Sequence, residues 1–214
     1  MYKKICLAGA VILLSACNQY RPGIVSQTIT QTFSSQDAVI DSNKVARVPY
    51  ASMSLKVDDG PLAFIVLAWN ENNIQKWLTA DAKMIATQNG RIIKTIGFAD
   101  NLLAFESSES DPLAHPLTIK DGQQWTSQTQ WQSGSFHAAS VTSRFKWAGT
   151  EDFTIVSTTR SYRLLEEQVS STTDGASYTQ RYWVDAQTGQ IVHSEQTLHP
   201  HGPVWSLTLL KPYS

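Results

Sequence analysis

The sequence contains very little cysteine. There are two thiols in 214 residues, Cys6 and Cys17, and both fall within the first 17 positions. The rest of the chain therefore has no disulfide framework. The stretch between the two cysteines (Leu-Ala-Gly-Ala-Val-Ile-Leu-Leu-Ser-Ala) suits a helix. A helix of that length sets the sulfurs roughly 16 Å apart, beyond bonding reach. Charge is also scarce, at 16% of residues. There is no basic stripe or cluster, which excludes a nucleic-acid partner. The apolar run Ile5 to Leu14 is ten residues long, too short for a transmembrane helix. No sequence repeat suggests a propeller.

Those first residues have the grammar of a secretory signal. Met1-Tyr2-Lys3-Lys4 is a basic start, Ile5 to Leu14 is the apolar region, and the small residues Ser15 and Ala16 precede Cys17. Leu14-Ser15-Ala16-Cys17 resembles the bacterial lipobox. That resemblance implies diacylglycerol on the Cys17 thiol, cleavage after Ala16, and N-acylation of the new terminus. Cys6 would leave with the signal. Cleavage would leave 198 residues and, with Lys3 and Lys4 removed, 15 basic against 18 acidic side chains. Residues 1–16 are thus expected to be a signal peptide, 17–23 a lipidated tether, and 24–214 one β-rich domain. Three acyl chains anchor far more firmly than one. Asn18 stands where an inner-membrane retention aspartate would sit, which by the general sorting rule for lipoproteins implies the outer membrane.

The remainder reads mostly as strands. Ile24, Val25, Ile29 and Phe33 have near-helical spacing, so a short amphipathic helix is expected there. Leu62 to Trp69 (LAFIVLAW) reads as a buried strand. Trp77–Thr87 and Arg91–Phe98 flank Asn89-Gly90, the strongest short hairpin signal. Further strands are expected at Trp125–Gln132, Ser135–Trp147, Phe153–Arg160, Arg163–Ser170, Ala176–Val184, Gly189–Leu198 and Val204–Leu210. Asp185 to Gly189 makes a second tight turn. Asn101 to Gly122 reads as a loop. Turns recur without βαβ alternation, which argues for an antiparallel meander. Because long open sheets leave hazardous edges, the expected fold is a strongly curved sheet or half-barrel with a short N-terminal helix.

Residues that could carry chemistry are few. There are seven tryptophans, and aromatic faces suit the apolar face of a sugar ring, although most tryptophans fill cores. Trp125 and Trp131 lie an even number of residues apart on a polar strand. They would share one face and are the candidate glycan-stacking platform. Arg91 follows a tight turn and is expected to be an exposed turn charge, able to meet an acidic sugar. His193, His199 and His201 cluster near the end of the sequence, but no cysteine and no HExxH pattern accompany them, so no metal is expected. Gly134-Ser135-Phe136-His137 is not GxSxG, and two residues along a strand is poor geometry for a nucleophile and its base. Asp58-Asp59 and Glu166-Glu167 are adjacent pairs, whose members point to opposite faces in a strand. A glycosidase needs two converging carboxylates. No catalytic residue and no cofactor are assigned.

Trp77-Leu78-Thr79-Ala80-Asp81 followed by Thr87-Gln88-Asn89-Gly90-Arg91-Ile92-Ile93-Lys94-Thr95-Ile96-Gly97-Phe98 resembles the central signature of the YjbF-type lipoproteins, the family that includes the group 4 capsule lipoprotein. Tyr182-Trp183-Val184-Asp185 with Thr188-Gly189, and Leu210-Lys211-Pro212, resemble its C-terminal motifs. Ala82 departs from the pattern, which has glycine after the aspartate. The resemblance implies a lipid-anchored, periplasm-facing outer-membrane protein with a mostly antiparallel β-fold. It also implies an accessory role in exopolysaccharide or capsule secretion, with polysaccharide or secretion proteins as partners. Two alternatives remain: a carrier of lipid or acyl chains, and an envelope polysaccharide hydrolase.

Overall fold

The computed structural model describes residues 38–213. The helix expected over 24–33 lies outside them. Among the described residues there is one short α-helix, α1 (Ser42–Arg47), capped by the Asp41 side chain, which accepts from the Lys44 N–H at 2.7 Å. Its Val45 packs with Phe64 and Val66.

Twelve strands follow. They are β1 (Ser52–Val57), β2 (Ala63–Glu71), β3 (Ile74–Leu78), β4 (Met84–Gln88), β5 (Arg91–Ile96) and β6 (Asp100–Glu106), then β7 (Gln124–Ser133), β8 (Ser135–Ile155), β9 (Thr158–Ser171), β10 (Ser177–Val184), β11 (Ile191–Thr197) and β12 (Val204–Lys211). They form one antiparallel sheet in the order β5-β4-β3-β2-β1-β12-β11-β10-β9-β8-β7-β6. Every neighbour except the β1–β12 pair is consecutive in sequence, so the predicted meander is what forms. It curls further than a half-barrel. The outer strands β5 and β6 meet through a side chain, the Leu102 N–H donating to Thr95 Oγ1 at 2.9 Å, and the turn between them is held by Asn101 Nδ2 donating to the Phe98 carbonyl at 2.7 Å. The result is a nearly closed barrel, which resolves the edge problem.

The barrel is apolar inside and polar outside, the reverse of a membrane-spanning barrel. Along β7, Trp125, Ser127, Thr129 and Trp131 are buried, while Gln124, Thr126, Gln128 and Gln132 are exposed. The interior is packed around Trp77, Ile65, Ile85, Leu102 and Trp205 in one half and Phe145, Leu165, Tyr182 and Trp125 in the other.

Three sequence readings need correcting. Trp77–Thr87 is two strands, because Thr79 folds the chain back: its hydroxyl donates to Asp81 at 2.6 Å and accepts from the Lys83 N–H at 2.9 Å. Phe153–Arg160 is the tip of a long β8–β9 hairpin, with Val156 at positive φ at the turn. That arm bends at the register shift between Trp147 and Thr150 and lays Phe153 and Ile155 over Tyr162, Leu164, Trp183 and Val192 on the outer face. Asn101–Gly122 contains most of strand β6 and two 3-10 turns, Pro112–Ala114 and Pro116–Thr118. Their Leu113, with Ile119, closes one end of the barrel.

Candidate functional site

Arg91 is buried, at 1% exposure, which overturns the reading of an exposed turn charge. Asn89 and Gly90 take φ of 51° and 82°, as the Asn-Gly turn predicted. The turn itself folds inward: Gln196 Nε2 donates to the Gly90 carbonyl at 2.8 Å, and the Ile92 N–H donates to Gln196 Oε1 at 2.9 Å. Arg91 therefore enters the barrel. Its Nε donates to Asp111 Oδ2 at 2.6 Å, and one terminal nitrogen donates to Glu167 Oε2 at 2.8 Å and to Tyr182 Oη at 3.2 Å. The guanidinium also lies 4.9 Å from the Trp125 ring centre and 5.2 Å from that of Phe105. Burial opposes its charge, but the Asp111 and Glu167 carboxylates more than offset this and hold its pKa well above the ordinary value. Burial likewise pushes the Tyr182 phenol well up. Asp111 belongs to the loop that plugs the barrel end, so Arg91 ties plug to wall.

This cluster is enclosed. The cavity beside it, lined by Ser127, Thr129, Arg91 and Glu167, measures about 10 Å³, space for about one water. No substrate fits there. Glu167 is spent on Arg91, Tyr182 and Ser143. Its neighbour Glu166 points outward to Arg181 at 3.6 Å, so the pair splits between faces as expected.

Trp125 and Trp131 share a face, but that face is the barrel interior. At 4% and 9% exposure they are not an exposed platform. Trp131 is stacked by His137 at 5.3 Å and by His199 at 5.6 Å between ring centres. The interleaved Ser127 and Thr129 made the strand look polar on both faces. His193 lies elsewhere, under Phe153 at 4.3 Å, with Nδ1 sharing a hydrogen bond with Thr208 at 2.8 Å. Burial lowers its pKa to about 4. Among the described residues, no three His, Cys, Asp or Glu side chains converge as metal ligands. Ser135 and His137 do meet, at 2.9 Å, contrary to the expectation from spacing. They are exposed at the start of β8, beside Gly134.

The sequence reading missed an open cleft at the barrel end that the plug closes. Trp69 ends the apolar run read as a buried strand, yet a register shift between Leu67 and Trp69 turns it out to 51% exposure. Tyr213, 61% exposed, lines the same cleft with Tyr50, Asn70 and Lys211. The hollow measures about 450 Å³ and adjoins a second of about 490 Å³ that shares Asn70 and Tyr213 and includes Asn73, Gln75 and Asn89. The polar run Asn70-Glu71-Asn72-Asn73 directly after Trp69 was the available signal. At the opposite end, a more apolar hollow of about 490 Å³ is lined by Leu55, Val57, Leu62, Phe64, Ala80 and Phe98.

Comparison with known proteins agrees with this fold. The family described as "Group 4 capsule polysaccharide lipoprotein gfcB, YjbF" matches residues 26–210. The chain is 32% identical over 211 residues to the "Uncharacterized lipoprotein GfcB" of Escherichia coli (strain K12), covering 98% of this chain and 99% of that one. It is 35% identical over 197 residues to the "Uncharacterized lipoprotein YjbF" of the same organism, covering 92% of each. The crystal structure of the hypothetical lipoprotein YmcC from Escherichia coli (K12) superposes with a TM-score of 0.79 at 31% identity, over 89% of this chain and 94% of that one. The chain belongs to the group 4 capsule polysaccharide lipoprotein family.

Proposed function

We propose that the protein is a non-enzymatic accessory factor in the secretion or assembly of exopolysaccharide or capsule. It is held by acyl chains on Cys17 to the periplasmic side of the outer membrane, after removal of residues 1–16. The observation that carries this reading is the family match over residues 26–210. The Leu14-Ser15-Ala16-Cys17 motif and Asn18 support the anchor and its destination. Two features support binding over catalysis. The best-organised charged cluster, Arg91–Asp111–Glu167, is enclosed and its members are engaged with one another. The open clefts carry aromatic, amide and apolar groups. Partners would be polysaccharide or proteins of the secretion apparatus. Deletion of the gene should lower surface and secreted polysaccharide, and the intact gene should restore it. Unchanged output in the deletion strain would sink the reading.

The acyl-chain carrier is favoured by one observation, the hollow lined by Leu55, Val57, Leu62 and Phe98. Solvent extraction of the purified protein followed by mass spectrometry tests it. A stoichiometric lipid beyond the Cys17 anchor would move the carrier to first place.

A further inference from the structure

We propose that the cleft bearing Trp69 and Tyr213 binds a short run of uncharged pyranose rings. This deepens the accessory reading above and rests on it for the glycan's source. The two joined hollows, about 450 and 490 Å³, fall within the ~300–1,000 Å³ of ordinary ligand sites. Two large aromatic side chains, 51% and 61% exposed, line one of them. Such rings cover the apolar C–H face of a sugar while leaving its hydroxyls to polar neighbours.

The rim suits those hydroxyls. Asn70, Asn73, Gln75, Asn89 and Gln190 line the second hollow, offering both donors and acceptors from neutral groups. Asn73 Nδ2 donates to Asn89 Oδ1 at 2.7 Å. That bond fixes two side chains and commits neither the Asn73 oxygen nor the Asn89 nitrogen. The adjoining turn is pinned by Gln196, so little ordering remains to be done on binding. Nearby charges are already engaged: Lys76 pairs with Glu71 at 2.8 Å, and Lys211 Nζ donates to the Val48 carbonyl at 2.8 Å. A neutral sugar therefore fits better than an anionic one. A lipid surface calls for a basic cluster around the aromatics, and a protein partner for a continuous apolar centre. Here aromatics alternate with amides. The cleft is also at the barrel end away from Ala38, where the described chain begins beside Leu62.

Pyranose rings could come from exopolysaccharide, peptidoglycan or lipopolysaccharide core. The test is calorimetric titration of the full lipidated chain in nanodiscs. The probes are oligosaccharides from the host's own exopolysaccharide, muropeptides, and core oligosaccharide, with bare anionic vesicles as a fourth arm. Binding in a sugar arm is expected, weakened about tenfold or more by Trp69→Ala and largely retained by Trp69→Tyr. Whichever sugar arm shows this dependence assigns the source. The proposal is overturned if no sugar binds, if Trp69→Ala binds as well as wild type, or if only the vesicles depend on Trp69. Absent sugar binding with lowered output on gene deletion refutes the cleft and leaves the accessory role. Trp69-dependent binding with unchanged output refutes the accessory role and leaves the cleft.

Discussion

Arg91 holds opposing parts of the molecule together, and its removal should be felt throughout. Arg91→Met leaves the buried Glu167 and the partly buried Asp111 without their cation, a change that costs about 3–5 kcal/mol. Urea unfolding should show this loss, and adding Glu167→Gln should recover part of it. Equal stability of the single and double variants would mean that the pair is not coupled. His193 carries a pH dependence. Its folded pKa of about 4 lies below the ordinary 6.5, so the unfolded chain binds the extra proton between those values. Stability from this group is complete above pH 6.5 and falls as pH drops toward 4, by about 3 kcal/mol. Melting midpoints at pH 7 and 4.5 should differ less in His193→Gln than in wild type. The groups packed on this ring are Phe153 and Trp183, and the Trp183 indole donates to Glu151 at 3.1 Å, so the outer arm should loosen with it.

Turn chemistry governs the elements. Gly90 has φ of 82°, and a Cβ there would lie 2.9 Å from Ile191. Gly90→Val should therefore cost on the order of 1–3 kcal/mol, read as a fall in the melting midpoint. Ala82, the departure from the family pattern, sits at φ 61° in the Thr79–Lys83 turn. Ala82→Gly should stabilise by about 1 kcal/mol, since the left-handed region penalises any Cβ. A lowered midpoint would contradict this. The strands were legible because Asn89-Gly90, Asp185–Gly189 and the alternation along β7 are local signals. The inside of the barrel was not. Period-two alternation says that Trp125 and Trp131 share a face, but not which face, and Ser127 and Thr129 on that face disguised it. Arg91 and Trp69 exchanged their expected places for a similar reason. A turn folding inward leaves no signature in the residue types alone, and the register shift that turns a ring outward left only the polar run after Trp69.

At the scale of the whole molecule, a nearly closed and filled barrel leaves its surface and its two ends for function. The interior cavity of about 10 Å³ admits neither a sugar nor an acyl chain. The proposed anchor on Cys17 would then decide where those ends work. Cys17→Ala should abolish acyl labelling with an alkynyl fatty acid, because that thiol is the proposed lipid acceptor; persistent label would contradict this. The central claim is that the protein acts by binding, and among the described residues Ser135 and His137 form an exposed hydroxyl–imidazole pair that could be read as a nucleophile and base. The most direct measurement is polysaccharide output from a deletion strain carrying the Ser135→Ala/His137→Ala double variant, with folding checked by circular dichroism and lipidation by labelling. The account predicts output equal to that restored by the wild-type gene. Output as low as in the uncomplemented deletion, from a folded and lipidated variant, would contradict it and put the hydrolase first.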